Sequence, residues 1–361
     1  MSTKNPLVAL HDLGQSFWWD QLSRRELQEG LVERMRDENG MRGITSNPAI
    51  FQKSLQDGDV YDDDIARLFA DGHDAQAVFW SLAVDDIQRA CDVLRTVYDA
   101  SDRADGFVSL EVDPRLAHDT ETTVEEARRL WGEVDRPNLM IKIPGTPEGV
   151  PAIRTALTEG INVNVTLLFS PQAHIDVMHA YVDAVEARHR AGESIDDVAG
   201  VASFFVSRVD SLVDSKLPEG SPLGGRAGVA NAKVAYANFE EIFGSDRWAA
   251  LAAAGARVQR PLWASTSTKD PSYRDTIYVE ELIGPDTVNT MPTVTLEAWL
   301  DHGEPEADTV KRDVDGARRV FEDLGAAGVD FDAVTAQLLR EGVEKFETAF
   351  AGLIESIDAK R

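Results

Sequence analysis

Short apolar runs rich in valine, isoleucine and phenylalanine recur along the chain and are separated by longer amphipathic stretches. Runs of this length are typical of buried strands, whereas the intervening stretches repeat their apolar residues at helical spacing, as Ile175, Met178 and Val182 do. Eight such runs predict eight strands: SFWWD (16–20), RGITSNP (42–48), GFVSLEVD (106–113), NLMIKIPG (138–145), NVNVTLLF (162–169), VASFFVS (201–207), RPLWASTS (260–267) and DTVNTMP (286–292).

Strands that alternate with helices in this number are typical of a closed parallel (β/α)8 barrel, the TIM barrel. We therefore predict an α/β fold with one domain over residues 1–361. Additional helices are expected near 49–105 and 208–259, where the connections are long, and near 305–356, on the outside of the barrel. A doubly wound open sheet is the alternative, but no glycine-rich phosphate-binding turn follows the early strands.

Three successive predicted strands, the third, fourth and fifth, carry polar residues on one face only. Because side chains alternate across a strand, every second residue of each run lies on a fully apolar face, which is expected to pack on helices. In the fifth run this face consists of Ile161, Val163, Val165 and Leu167. The opposite face then points into the barrel, and Glu111, Lys142, Asn164 and Thr166 are among its polar residues.

A barrel interior is normally filled with apolar layers, so these four polar residues need a specific explanation. One explanation is a buried ion pair between Lys142 and Glu111. The other is an active site, since the active sites of such barrels gather at the C-terminal ends of the strands. Three neighbouring strands patterned alike favour the active site.

The ends of three other predicted strands add polar or aromatic candidates: Asp20, Thr45, Asn47, Ser203, Phe205 and Arg208. Structural roles are open for several of them. Asp20 could cap the following helix, Asn47 could begin a turn before Pro48, and Arg208 could pair with a nearby carboxylate on the surface.

Lys142 is the one lysine of nine that lies inside an apolar, strand-like run. Burial among apolar groups disfavours the cationic amine, and a neutral amine is a nucleophile for ketones and aldehydes. The carbinolamine that forms must lose water, and Glu111 and Asp20 are carboxyl groups that could donate and accept the protons. No metal site is predicted, because His174 and His179 lie on one helix and are expected to be exposed or in the core.

The chain is strongly acidic, with a formal net charge of -27 and a pI of about 4.6. This charge argues against nucleic-acid and anionic membrane partners, so an anionic substrate needs a local basic pocket, for which Arg208 and Lys269 are candidates. The single cysteine, Cys91, allows no internal disulfide and favours a reducing compartment. With neither a signal-peptide pattern nor a membrane-length apolar run, we expect a cytoplasmic protein.

Two longer motifs resemble those of the transaldolase family, in particular its longer bacterial type. They are GITSNPAIF (43–51) and NLMIKIPGTPEGVPAIRTALTEGINVNVTLLFS (138–170), and the resemblance extends from FWWDQLSR to VNTMP. It implies a Schiff-base enzyme of the pentose phosphate pathway that needs no metal or organic cofactor. The implied reaction transfers dihydroxyacetone from sedoheptulose 7-phosphate to glyceraldehyde 3-phosphate, giving erythrose 4-phosphate and fructose 6-phosphate.

The resemblance also implies a role for each candidate residue. Lys142 would form the imine, Asp20 would act as acid and base on the hydroxyl at the cleaved bond, and Glu111 would act through a water held by Thr166. The expected substrate contacts are Asn47, Thr45, Asn164, Ser203, Phe205, Arg208, Ser265 and Lys269. Shorter transaldolases carry an arginine at the eighth strand where this chain reads GPDTVNTMP, and Lys269 is the candidate to replace it.

Other functions compatible with these residues stay open. An enzyme similar to fructose 6-phosphate aldolase would release dihydroxyacetone, but that group typically has glutamine at the position of Glu111 and tyrosine at that of Phe205. A non-catalytic sugar-phosphate-binding barrel would be expected to lose Lys142 or the acids. A glycosidase using Glu111 and Asp20 would leave the lysine without a role. A monomer and a homodimer are both compatible with the sequence.

Overall fold

The computed structural model describes residues 5–361 and contains a closed barrel of eight parallel strands arranged in chain order. The strands are β1 (Gln15–Trp19), β2 (Gly43–Ile44), β3 (Phe107–Glu111), β4 (Leu139–Pro144), β5 (Val163–Leu168), β6 (Gly200–Phe205), β7 (Arg260–Ala264) and β8 (Thr287–Met291). The predicted (β/α)8 fold is confirmed, and each strand overlaps the run that predicted it. Residues 1–4 of the predicted domain lie outside the described residues.

Helices surround the barrel and also fill the long connections. They are α1 (Pro6–Asp12), α2 (Arg24–Gln28), α3 (Leu31–Asn39), α4 (Pro48–Gln56), α5 (Asp62–Ala70), α6 (Ala75–Ala100), α7 (Thr120–Val134), α8 (Gly149–Thr158), α9 (Pro171–Ala191), α10 (Ser207–Asp214), α11 (Ala227–Phe243), α12 (Asp246–Ala253), α13 (Ile277–Glu280), α14 (Thr293–His302), α15 (Val314–Ala326) and α16 (Phe331–Asp358). Short 3-10 helices span Pro114–Leu116 and Thr309–Lys311. Thus α4 to α6 occupy the β2–β3 connection and α10 to α12 the β6–β7 connection.

Local sequence sets where several helices begin. The Asn47 side chain accepts a hydrogen bond from the Ile50 amide at 3.0 Å, and Pro48 occupies the first turn of α4. Ser170 and Pro171 begin α9 in the same way. A side-chain cap satisfies a backbone amide that has no partner within the helix, and proline is tolerated there because no amide hydrogen is needed.

The insertion helices α5 and α6 are tied to α2 by a buried arginine. The Arg24 guanidinium contacts carboxylate oxygens of Asp86 at 2.7 Å, Asp85 at 2.9 Å and Asp64 at 2.5 Å. Its side chain and that of Asp86 are 2% and 1% exposed, and Tyr61 donates a further hydrogen bond to Asp86. Removal of Arg24 would leave the buried Asp86 charge without its cationic partner.

Two apolar clusters confirm most of the predicted strand faces. The apolar residues of β3 and β4, such as Leu110 and Ile141, pack in an outer cluster between the strands and the helices. A second, inner cluster includes Met140 within the barrel and continues to Phe205 and Phe346 at its C-terminal end. The polar face of β3, β4 and β5 therefore points inward, as predicted.

The predicted orientation of Leu167 is wrong. The β5–β6 register shifts between Val165 and Leu168, and Leu167 has a left-handed backbone with φ of +60°. This bulge interrupts the alternation, so Leu168 takes the helix-facing position and Leu167 joins the inner cluster. At the rim Leu167 approaches α16 so closely that a Cβ added to Gly342 would lie 3.0 Å from its Cδ2.

The prediction that the C-terminal helices pack on the outside of the barrel is wrong for α16. This helix packs against α4, α6 and α10 and against the end of β5, so it crosses the C-terminal mouth. Its residue Phe350 meets Phe79 of α6 edge to face, with ring centroids 5.5 Å apart. Because its neighbours come from distant parts of the chain, amphipathic periodicity alone did not indicate its location.

Candidate active site

A cavity of about 200 Å³ lies at the C-terminal ends of the strands. Ten predicted site residues line it: Asp20, Thr45, Asn47, Lys142, Thr166, Ser203, Phe205, Arg208, Ser265 and Lys269. The remaining two, Glu111 and Asn164, are buried next to it and contact lining residues. The structure thus brings all the predicted residues together, as the end-of-strand argument required.

Lys142 lies at the centre of this arrangement. Its neighbours Ile141 and Ile143 pack in the outer cluster, which anchors β4 and leaves the lysine directed inward. The ammonium nitrogen Nζ is 3.4 Å from Oε2 of Glu111 and donates a hydrogen bond to the Ser46 carbonyl at 3.1 Å. The side chain is 6% exposed, so this amine meets the cavity rather than bulk water.

Glu111 is held in an environment that favours its protonated form. Burial raises the pKa of its carboxyl to about 7, and the nearby Lys142 charge opposes this only in part. Among the described residues neither carboxylate oxygen has a hydrogen-bond partner, and the same is true of the Thr166 hydroxyl. A small space lined mainly by apolar side chains, among them Phe79 and Phe350, adjoins Glu111. Apolar surroundings disfavour the charged carboxylate.

Asp20 is fixed by a pair of threonines. The Thr45 hydroxyl donates to Oδ1 of Asp20 at 2.6 Å and lies 2.6 Å from the Thr290 hydroxyl. Burial raises the Asp20 pKa, while the Thr45 hydrogen bond and the Lys142 charge oppose the rise. The alternative role of Asp20 as a helix cap is wrong, because Ser23 caps α2.

Amide and hydroxyl groups form a connected series on the adjoining strands. Ser203 donates to Oδ1 of Asn164 at 2.7 Å, and the Asn164 amide donates to the Ser109 hydroxyl at 2.9 Å. Asn47 is the N-cap of α4, which begins at Pro48. Because its Oδ1 is engaged there, its NH2 is the group available to a ligand in the cavity.

One end of the cavity is basic. The Arg208 guanidinium lies over the Phe205 ring at 5.1 Å, and within residues 5–361 it has no hydrogen bond or ion pair. The alternative of a surface ion pair is therefore wrong for the described structure. Lys269 reaches the same end and donates to Ser267 at 2.6 Å, while Ser265 lies 2.8 Å from the Ser207 hydroxyl.

Several residues of the site were not predicted. Thr290 and Ser267 line the cavity, and Phe346 of α16 places its ring centroid 5.6 Å from Nζ of Lys142. Alternation along TVNTM could have indicated Thr290, since it follows the inward pattern of the other strands. No local signal marks Phe346, which reaches the site from a helix far along the chain.

The histidines take no part in the site. His174 is fully buried beside Phe204, and burial lowers its pKa to about 4, whereas His179 is exposed. Both fit the prediction of core or exposed residues. Across the described part of the chain, no group of three histidine, cysteine, aspartate or glutamate side chains is placed to hold a metal ion.

Comparison with known proteins agrees with this chemistry. The family model described as transaldolase/fructose-6-phosphate aldolase matches residues 17–357. The chain belongs to this family. Among curated relatives, transaldolases of Mycobacterium tuberculosis and Frankia alni are each 50% identical, the first over 99% of this chain and 98% of the relative, the second over 98% and 96%. Transaldolase of Saccharopolyspora erythraea is 49% identical over 99% and 98%.

The family match and these near full-length relatives support transaldolase function, which is a transferase activity. They also imply sugar-phosphate substrates, for which the basic end of the cavity is suited. None of the helices within 5–361 is both long and apolar enough to cross a membrane.

Proposed function

We propose that this transaldolase-family barrel transfers a dihydroxyacetone unit through an imine on Lys142. The donor is sedoheptulose 7-phosphate, the acceptor is glyceraldehyde 3-phosphate, and the products are erythrose 4-phosphate and fructose 6-phosphate. The main support is the position of Lys142, a primary amine in an enclosed cavity 3.4 Å from a carboxyl group whose pKa is about 7. Such a carboxyl group can both donate and accept a proton near neutral pH.

In the first step the Lys142 amine attacks the ketose carbonyl, and the carbinolamine loses water to give the imine. Glu111 donates the proton that lets the hydroxyl leave and recovers it when the imine is hydrolysed. The Glu111 oxygens and the Thr166 hydroxyl are buried and have no hydrogen-bond partner among the described residues. Buried polar groups of this kind support a water relay between the two side chains.

Asp20 then removes a proton from the hydroxyl beside the bond to be cleaved. The carbon–carbon bond breaks, its electrons move to the protonated imine, and the aldehyde leaves. Thr45 holds the carboxylate of Asp20 at 2.6 Å, so one oxygen is oriented and the other is available to the substrate. Addition to the acceptor aldehyde follows the same steps in reverse.

Substrate binding divides between the two ends of the cavity. We assign the sugar hydroxyls to Asn47, Asn164 and Ser203, whose amide and hydroxyl groups converge near Lys142. The phosphate is assigned to Arg208 and Lys269, with Ser265 nearby, because the Arg208 guanidinium has no hydrogen bond or ion pair among the described residues. A local cationic site is what an anionic substrate requires on a protein of net charge -27.

Borohydride reduction in the presence of fructose 6-phosphate tests the imine directly, with peptide mass mapping of the product. The expected result is an adduct on the peptide that carries Lys142 in the wild-type enzyme and none in Lys142→Met. Methionine suits an apolar strand position, so the variant should fold but lose turnover. An adduct on another lysine, or turnover by the folded variant, would refute the assignment.

The contacts of α16 bear on the organisation of the enzyme. We propose that residues 1–361 act as one catalytic domain, since α16 contributes to the cavity and the inner cluster joins this helix to the barrel. We also propose a cytoplasmic enzyme that is a monomer or homodimer. Light scattering at assay concentration distinguishes those two states, and a larger assembly would contradict the proposal.

A further inference from the structure

An aromatic residue from outside the barrel covers part of the reactive lysine. The Phe346 ring lies over Nζ of Lys142, 5.6 Å from centroid to nitrogen, and lines the cavity. It is 6% exposed. The ring thus occupies space beside the amine that water or substrate would otherwise fill.

The position of Phe346 is set by contacts one turn away in each direction along α16. On one side Gly342 lies against Leu167 of the β5 bulge, where a Cβ would come within 3.0 Å of the leucine. On the other side Phe350 packs on Phe79. These contacts hold the helix close to the rim, so the ring of Phe346 is directed at Lys142 by packing rather than by a flexible loop.

The proposed reaction passes through an intermediate that must be kept from water, and the Phe346 ring lies where it can exclude water. After carbon–carbon cleavage, a three-carbon enamine remains bonded to Lys142 until an acceptor arrives. Its nucleophilic carbon can attack an aldehyde, which completes the transfer. Alternatively this carbon takes up a proton, water adds to the resulting iminium carbon, and the carbon–nitrogen bond breaks, which releases dihydroxyacetone and the free amine.

On the basis of the proposed function, we propose that Phe346 is a specificity-determining residue that favours transfer over release of dihydroxyacetone. Its ring excludes water from one side of the Lys142 adduct. At the enamine stage only the release branch consumes water, whereas the transfer branch needs water afterwards, when the product imine is hydrolysed. The ring face also attracts the positive charge that the ammonium and the protonated imine share. Both effects depend on an aromatic side chain at this place on α16.

The test compares Phe346→Leu and Phe346→Ala with the wild-type enzyme. Phe321→Leu is the matched control, because Phe321 packs against Phe331 with ring centroids 4.6 Å apart and does not line the cavity. Each protein receives fructose 6-phosphate with erythrose 4-phosphate, and sedoheptulose 7-phosphate and free dihydroxyacetone are both quantified. Circular dichroism and thermal melting establish that each variant is folded.

The expected ratio of release to transfer rises about threefold in Phe346→Leu and about tenfold in Phe346→Ala, because each change admits more water. The control keeps the wild-type ratio. An unchanged ratio of release to transfer in folded Phe346→Leu would overturn the inference, even if turnover changes. If Phe346→Ala does not fold, the result for Phe346→Leu alone decides the test. Absence of transfer by the wild-type enzyme would instead overturn the proposed function.

Discussion

Replacement of Glu111 by glutamine separates the energetic cost of this carboxyl group from its role in catalysis. The change preserves shape and removes the one titratable group that lies 3.4 Å from Lys142. Transfer should slow, because an amide cannot exchange protons with the carbinolamine. The free energy of unfolding of the variant should also depend less on pH than that of the wild type.

The magnitude follows from the raised pKa of Glu111, about 7 against an ordinary value of 4.5, caused by burial. The folded state holds the proton more tightly than the unfolded state, so the stabilisation is complete below pH 4.5 and is lost as pH rises through 7. Linkage between these values gives a loss of about 2.5 kcal/mol between pH 5 and pH 8. Glutamine does not titrate, so Glu111→Gln lacks this loss.

Urea denaturation of both proteins at pH 5, 6, 7 and 8 provides the measurement. The free energy of unfolding of the variant minus that of the wild type should increase by about 2.5 kcal/mol across this series. Any difference in packing between the amide and the protonated carboxyl group adds an offset that does not depend on pH. A flat or decreasing difference would refute the environment assigned to Glu111.

Three further changes test other parts of the structure. Burial lowers the His174 pKa to about 4, so stability is lost as pH falls below 6.5. In urea denaturation the free energy of unfolding of His174→Leu minus that of wild type should therefore rise by about 2 kcal/mol from pH 8 to pH 5, and an unchanged difference would contradict this. Arg208→Gln should raise KM for fructose 6-phosphate about tenfold with kcat little changed, and an equal effect on an unphosphorylated ketose would argue against phosphate binding. Arg24→Met should cost about 3–5 kcal/mol in the same assay because Asp86 loses its buried partner, and a loss below 1 kcal/mol would contradict that role.

The barrel and most of its site could be predicted because strand alternation is local. The apolar neighbours of Lys142 and Glu111 identify the helix-facing side of each strand, and the remaining side must then point into the barrel. Parallel strands end on one side of the barrel, so their polar ends meet there. This reasoning located Asp20 and Arg208 without knowledge of any distance.

The errors arose where structure depends on contacts between distant residues. Leu167 adopts a left-handed backbone that leucine rarely takes, and nothing in TLLF indicates the bulge. Phe346 lies in an amphipathic helix whose pattern shows that one face is buried, but not which surface buries it. Local periodicity could identify such an element but could not place it.

The path of α16 has a consequence for biosynthesis. The eighth strand ends at Met291, whereas α16 begins at Phe331, so the ribosome completes every strand before it makes this helix. Synthesis proceeds from the N-terminus, and folding can begin before the chain is released. A nascent chain could therefore close its barrel and place Lys142 beside Glu111 while the mouth still lacked Phe346. On this view Lys142 and Glu111 come together first, and α16 adds the Phe346 ring to the mouth of the cavity last.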